Sequence, residues 1–186
     1  MDNIEKITKE LLIEIGEDPK REGLLKTPER VSKSWEYLTS GYKQNIKDVV
    51  NGAIFDVDNQ DMIIIKDINY YSLCEHHMIP FYGKAHIGYI PNGKIIGLSK
   101  LARITDLFSQ RLQVQERLTI QVVNELQKIL NTDDVACVID AKHLCVNSRG
   151  INDISSSTVT AEFGGKFKDS KFRRDFLDYI KLETEI

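Results

Sequence analysis

Apolar residues recur along this chain with two periods. Ile4, Ile7, Leu11 and Ile15 repeat at helical spacing, and Gly16 is placed to stop that helix. Thr27-Pro28-Glu29-Arg30 reads as a second helix start, with Thr27 as N-cap and Pro28 at the first helical position. Val31, Trp35 and Leu38 would then face inward, and Gly41 would close the helix. Met62 to Ile68 is β-branched and predicts a strand that continues through Tyr70 and Tyr71 into a turn at Cys74. Phe81 to Ile90 predicts its partner, closed by Pro91-Asn92-Gly93; His86 lies inside it and receives no role. Two helices follow. The first is capped by Ser99, with Leu101, Ile104, Phe108 and Leu112 on its inner face, and the second runs from about Val114 to Leu130. Val135 to Cys145 and Ser157 to Phe163 predict two further strands, and Phe172, Phe176 and Ile180 a final helix. Strand pairs separated by a helix pair point to an α+β fold, a four-stranded antiparallel sheet with helices on one face. The expected organisation is a helical segment over residues 1–45 and a catalytic domain over 46–186, together one compact domain.

The chemistry concentrates in two short segments. Of four His and three Cys, five lie in Cys74-Glu75-His76-His77 and His143-Leu144-Cys145. Cys74 and His77, three apart, can be aimed by one turn at a single ion. His143 and Cys145, two apart, share a face if that segment is a strand. Thiolate and imidazole are the ligands zinc prefers. The best set is Cys74, His77 and Cys145. Three ligands leave a position for water, the catalytic arrangement, with His76 and His143 spare to move protons. Two blander readings stand beside it: a structural Cys2His2 site closed by His143, and two unrelated clusters of buried thiols.

Composition narrows the class. The 186 residues are 41% hydrophobic and 28% charged, with a net charge of −3, so no global basic field asks for nucleic acid or membrane. The charged start, the absence of a long apolar run and the odd number of thiols predict a cytoplasmic protein with reduced cysteines. Basic residues sit near the cluster rather than in runs: Lys100 and Arg103 in the first turn after Ser99, Arg149 four residues past Cys145, and Arg30 and Lys33 on one helix face. A helix N-terminus already attracts phosphate, and added cations extend that cradle; surface charge explains the same residues equally simply. Glu116, after Gln115, can complement the helix dipole or accept two parallel hydrogen bonds from a guanine edge. A zinc deaminase is disfavoured, because H-x-E with P-C-x-x-C is missing.

At Thr27-Pro28-Glu29-Arg30-Val31, Cys74-Glu75-His76-His77, Pro80-Phe81-Tyr82-Gly83-Lys84, Gly97-Leu98-Ser99-Lys100, Arg111 to Thr119, His143-Leu144-Cys145-Val146 and Arg149-Gly150, the chain resembles the GTP cyclohydrolase I family. The resemblance implies the tunnelling fold, with a ββααββ unit assembling into a homodecamer whose active sites are shared between subunits. It implies hydrolysis of GTP to 7,8-dihydroneopterin triphosphate and formate, the entry to pterin and tetrahydrofolate synthesis, by an allosteric assembly. Carried over by position, Cys74, His77 and Cys145 would hold Zn2+. His143 would protonate the opening imidazole ring, His76 would act at the ribose ring oxygen, and Ser99 would assist the later rearrangement. Gln115 and Glu116 would grip guanine, and Arg30, Lys33, Lys100, Arg103 and Arg149 would hold the triphosphate.

Overall fold

The alternating and helical patterns resolve, in a computed structural model that describes residues 3–183, into two units, one ending at Ser40 and the other beginning at Gly41. The first contains α1 (Asn3–Glu14), a 3-10 turn at Glu22–Leu24 and α2 (Thr27–Leu38), and α1 packs on α2. Lys26, not Thr27, holds the N-cap position of α2, and no side chain caps it; Thr27 and Pro28 form the first turn. The apolar stripe of α1 is not core within this chain. Ile7, Leu11 and Ile15 are 61%, 57% and 65% exposed, whereas Thr8 and Leu12 are buried.

The second unit holds α3 (Ile46–Val50), β1 (Ile54–Asp56), β2 (Ile63–Cys74), β3 (Pro80–Tyr89), β4 (Lys94–Ile96), α4 (Leu98–Ser109), β5 (Leu112–Gln113), α5 (Gln115–Leu130), β6 (Val135–His143), α6 (Leu144–Asn147), β7 (Thr158–Phe163) and α7 (Ser170–Ile180). Its first residue is tied in from the start. The Gly41 N–H donates to Gln110 O, and the Arg111 guanidinium donates to Gly41 O. Residues 41–45 therefore group with the larger unit.

The main sheet has the order β5-β2-β3-β6-β7. The expected four strands are its antiparallel body. Two residues of β5 add a fifth, parallel to the end of β2, pairing Leu73 with Leu112 and Cys74 with Gln113. The pairing of β1 with β4 makes a separate small sheet that the residue pattern did not announce.

Parity decides which side chains enter the core. In β3 and β6 the odd positions Phe81, Ala85, Ile87, Val135, Cys137, Ile139 and Ala141 pack beneath α4 and α5. In β2 the odd residues Ile63 and Ile65 face that core, but after a bulge between Ile65 and Ile68 the even residues Ile68, Tyr70 and Cys74 do. Asp67 sits in the bulge at φ +61°, and its N–H donates to His86 Nδ1 at 3.1 Å. An extra residue of this kind reverses the alternation downstream of it. His86, left without a role by the sequence, thus caps the irregularity.

Helices cover both faces, not one. On the opposite side, Ile64, Ile90, Ala136 and Val138 form a second apolar patch that α7 and the turn at Gly165–Lys168 close with Phe167 and Phe176. An apolar patch at one end of a sheet face has to be covered, and the terminal helix is the segment available. Gly88 makes room: a Cβ there would stand 2.7 Å from the Phe176 ring.

Gly83 in β3 is similarly constrained, since a Cβ would lie 1.9 Å from Asp140 O and 2.7 Å from Ala141 Cα in the paired strand. Gly83→Ala should destabilise the protein by ~1–3 kcal/mol, the scale of overpacking against backbone that cannot move away. An unchanged urea midpoint would contradict the close approach.

Candidate metal centre and active site

The registers bring three chain segments to one end of the sheet. Leu73 pairs with Pro80 and Phe81 pairs with His143, so the exits of β2 and β6 lie beside the entry of β3. Cys74 ends β2. Its carbonyl accepts the N–H of Met78 at 2.7 Å, its N–H donates to Ile79 O at 2.9 Å, and Met78 turns the chain at φ +56°. This tight turn carries Glu75, His76 and His77. Glu75 is held from α5 by a two-pronged ion pair with Arg117, at 2.6 and 3.1 Å, which lowers the Glu75 carboxyl pKa. Sequence reasoning missed that clamp; the alternating Glu116-Arg117 at a helix start was its only trace.

The expected strand over His143 and Cys145 ends at His143, and Cys145 instead sits in the single helical turn α6. The physical reason is local. After His143 the ladder with β3 runs out, because β3 begins at Pro80–Phe81, and Leu144 O accepts the Ser148 N–H to close a turn. The turn still delivers the thiol: ligand atoms of Cys74, His77 and Cys145 all lie within 4.8 Å of one another. Cys74 is buried, Cys145 half-buried and His77 exposed, so the cluster opens to one side. Cys74 Sγ is 3.9 Å from His77 Nδ1 and 3.8 Å from His76 Nδ1, which keeps the spare imidazole beside the cluster. Burial and the neighbouring Cys74 thiol push the Cys145 pKa up, and the Arg149 charge pulls against them. These residues can hold a metal ion.

His143 lies on the same face. Its ring stacks on Phe81, 4.6 Å between centroids and 2° from parallel, and its Nε2 is 2.7 Å from Gln115 Oε1. Burial lowers its pKa, opposed by the charge of Glu116, which stands exposed in the first turn of α5. Gln115 is buried, with its amide nitrogen donating to Ile139 O and Thr158 O. Its side chain faces the sheet and His143, not the open side where guanine was expected.

The cationic residues are more scattered. Gly97, not Ser99, occupies the N-cap of α4; Ser99 is exposed in the first turn. Lys100 Nζ donates to Val49 O at the end of α3, at 2.9 Å. Arg103 is exposed and offsets the burial that raises the Asp106 pKa. Arg30 and Lys33 are exposed on α2 in the other unit, and Lys33 pairs with Glu29. A cleft of about 490 Å³ lies at the far end of the sheet, lined by residues including Asn92, Asn131 and Asp133; it contains none of the candidate ligands.

The geometry makes a stoichiometric expectation. One divalent ion should bind per chain, Cys145→Ala should weaken it at least ~100-fold, and His143→Ala should leave it bound. Equilibrium dialysis with elemental analysis checks this, and loss of metal from His143→Ala would make His143 a ligand.

A family model described as GTP cyclohydrolase I matches residues 4–181. The proteins named GTP cyclohydrolase 1 from Leptospira biflexa and Campylobacter jejuni are 52% and 46% identical to this chain; the alignments cover 96% and 98% of it, and 98% and 96% of the relatives. Among solved structures, the archaeosine synthase QueF-Like in the apo form aligns with a TM-score of 0.46 at 14% identity, over 54% of this chain and 90% of that one.

Proposed function

This chain belongs to the GTP cyclohydrolase I family, and from that membership we propose that it converts GTP and water to 7,8-dihydroneopterin triphosphate and formate, the first step of pterin and tetrahydrofolate synthesis. The observation that carries the reading is the Cys74, His77 and Cys145 cluster opening beside His143 and Glu116. The proposed metal is zinc. Two thiols and an imidazole are its preferred donors, and the 3.9 Å between Cys74 Sγ and His77 Nδ1 is close to the ~3.6 Å expected for two such atoms on one tetrahedral ion. Zinc bound there supplies Lewis acidity, which makes water a nucleophile near neutral pH.

The chain's own residues do the rest. Glu116 accepts the N1–H and 2-amino group of guanine and so orients C8 toward the metal side. His143, seated on Phe81, gives a proton to the ring nitrogen that leaves C8 as the imidazole ring opens. His76, beside Cys74, acts at the ribose ring oxygen, and the Ser99 hydroxyl assists the rearrangement that closes the pterin. Lys100, Arg103 and Arg149 bind the triphosphate, with Arg30 and Lys33 contributed from the N-terminal helices of the same or a neighbouring subunit. The Val49 carbonyl holds the Lys100 ammonium ready without neutralising it.

The same reading includes the tunnelling fold and a homodecameric, allosteric assembly working in the cytoplasm. Two features support association: the exposed apolar stripe of α1, and the sheet edge β7 with Val159 62% exposed. Among the described residues no helix is long and apolar enough to cross a membrane.

Purified protein given GTP should release formate and a product that fluoresces as a pterin after oxidation; ATP should give neither. Adenine offers no donor pair to Glu116, and a site built to pair polar groups rejects such an analogue by ~10⁴-fold or more. Glu116→Gln should lose most GTP binding. If it only lowers the melting temperature slightly and keeps the GTP-over-ATP preference, Glu116 serves the helix dipole instead, worth roughly 0.3–1 kcal/mol. Lys100→Ala and Arg149→Ala should weaken GTP more than guanosine in competition binding, whereas equal weakening would remove them from the phosphate site.

A further inference from the structure

Gln115 was expected to grip guanine, yet its side chain is buried with both amide N–H groups already engaged. It is 1% exposed. Its Nε2 lies 2.8 Å from Thr158 O and 3.1 Å from Ile139 O, and backbone carbonyls can only accept. A primary amide has two N–H donors, and these two acceptors use both. Rotating the amide by half a turn would set Oε1 against two carbonyl oxygens, acceptor against acceptor, and lose both of these hydrogen bonds. The oxygen therefore faces His143 Nε2 at 2.7 Å, and at that distance Nε2 must be the donor.

The acceptors cannot drift. Ile139 O belongs to β6 and Thr158 O to β7, inside one ladder. The α5 backbone at Gln115 is pinned as well, because Thr119 Oγ1 donates to Gln115 O at 2.8 Å and lies 2.7 Å from Thr160 Oγ1. Phe81 holds the imidazole in plane from below.

We propose that Gln115 is a positioning residue that fixes the ring orientation of His143 and its Nε2–H tautomer, leaving Nδ1 as the atom that exchanges protons with the substrate. The role given to His143 rests on the reading above; the tautomer does not. In the reaction, the Nδ1–H bond of the imidazolium breaks, the proton goes to the purine nitrogen as its bond to C8 opens, and His143 is left as the neutral Nε2–H form. The proton lost by the water that adds to C8 replaces the one given up at Nδ1, so the step is balanced.

The test has two arms. In the first, metal-loaded wild type labelled with ¹⁵N-histidine is read by solid-state NMR above neutral pH, with the His143 signals assigned by their loss in His143→Asn. A protonated Nε2 and a bare Nδ1 are expected; a protonated Nδ1 with bare Nε2 overturns the proposal, whether or not the protein turns over GTP. In the second, Gln115→Met keeps the volume and removes the acceptor. It should lower kcat by roughly 10–100-fold, the scale of losing a group that orients a histidine, while KM for GTP hardly moves and metal stays bound. A raised KM with kcat retained would return Gln115 to guanine binding and sink the proposal. The first arm needs no substitution, so a Gln115→Met chain that fails to fold leaves the question decidable.

Discussion

The N–H of Asp67 reaching His86 Nδ1 holds open a bulge on which the placement of the candidate metal ligands depends. Upstream of it, odd residues of β2 face α4 and α5; downstream, even residues do. Cys74 is even-numbered, whereas His143 and Phe81 on the neighbouring strands are odd and need no such shift. Without the extra residue, a regular β2 would turn Cys74 to the opposite face, away from His143 and from the thiol of Cys145, which packs against the same core. A local irregularity some seven residues from the ligand thus decides whether the ligands meet.

Around that cluster the polar groups divide by how firmly they are held. Gln115, Phe81 and His143 form a buried or half-buried stack tied to strand backbone, where an unmade hydrogen bond is expensive. Glu116, Arg103 and Arg149 are exposed, and Ser99 with them. The Arg117–Glu75 pair is intermediate, two-pronged but substantially solvated, so it steers the Cys74 turn more than it stabilises the fold. A group that holds a neighbouring ring in place needs rigidity, while a group free to meet a ligand needs open space. Adjacent residues of one helix start, buried Gln115 and exposed Glu116, meet those two conditions.

The helical and strand periods were legible in the residues wherever burial was one-sided. β2, β3, α5 and β7 fall within one or two residues of their expected bounds, and α7 holds the three residues expected of it. The misses share a cause. Ser99 and Thr27 are plausible N-caps by type, but Gly97 and Lys26 occupy those positions because cap geometry follows from where the preceding strand or turn delivers the chain. The apolar residues of α1 mark a helix by their spacing, yet Ile7, Leu11 and Ile15 are exposed, since periodicity reports that a face is apolar and not what covers it. The second helix-covered face was overlooked for the converse reason: Ile64, Ala136 and Val138 sit in strands so apolar that alternation no longer marks two sides.

By itself the sequence singled out Cys74, His77 and Cys145 as a candidate donor set, because thiols and imidazoles so sparse and so clustered have few other uses, and its periods marked the order of the longer strands and helices. Tertiary structure alone decided three things. It put Cys145 in a turn rather than a strand, because the ladder that would extend β6 ends at Pro80. It brought Cys74 to the same face as His143, through a bulge that no residue pattern announces. And it turned Gln115 inward while its neighbour Glu116 stayed out, because only the assembled β6–β7 ladder presents two carbonyls within reach of that amide. Periodicity is a property of one segment, whereas register, parity and the partner of a buried amide belong to pairs of segments far apart in the chain.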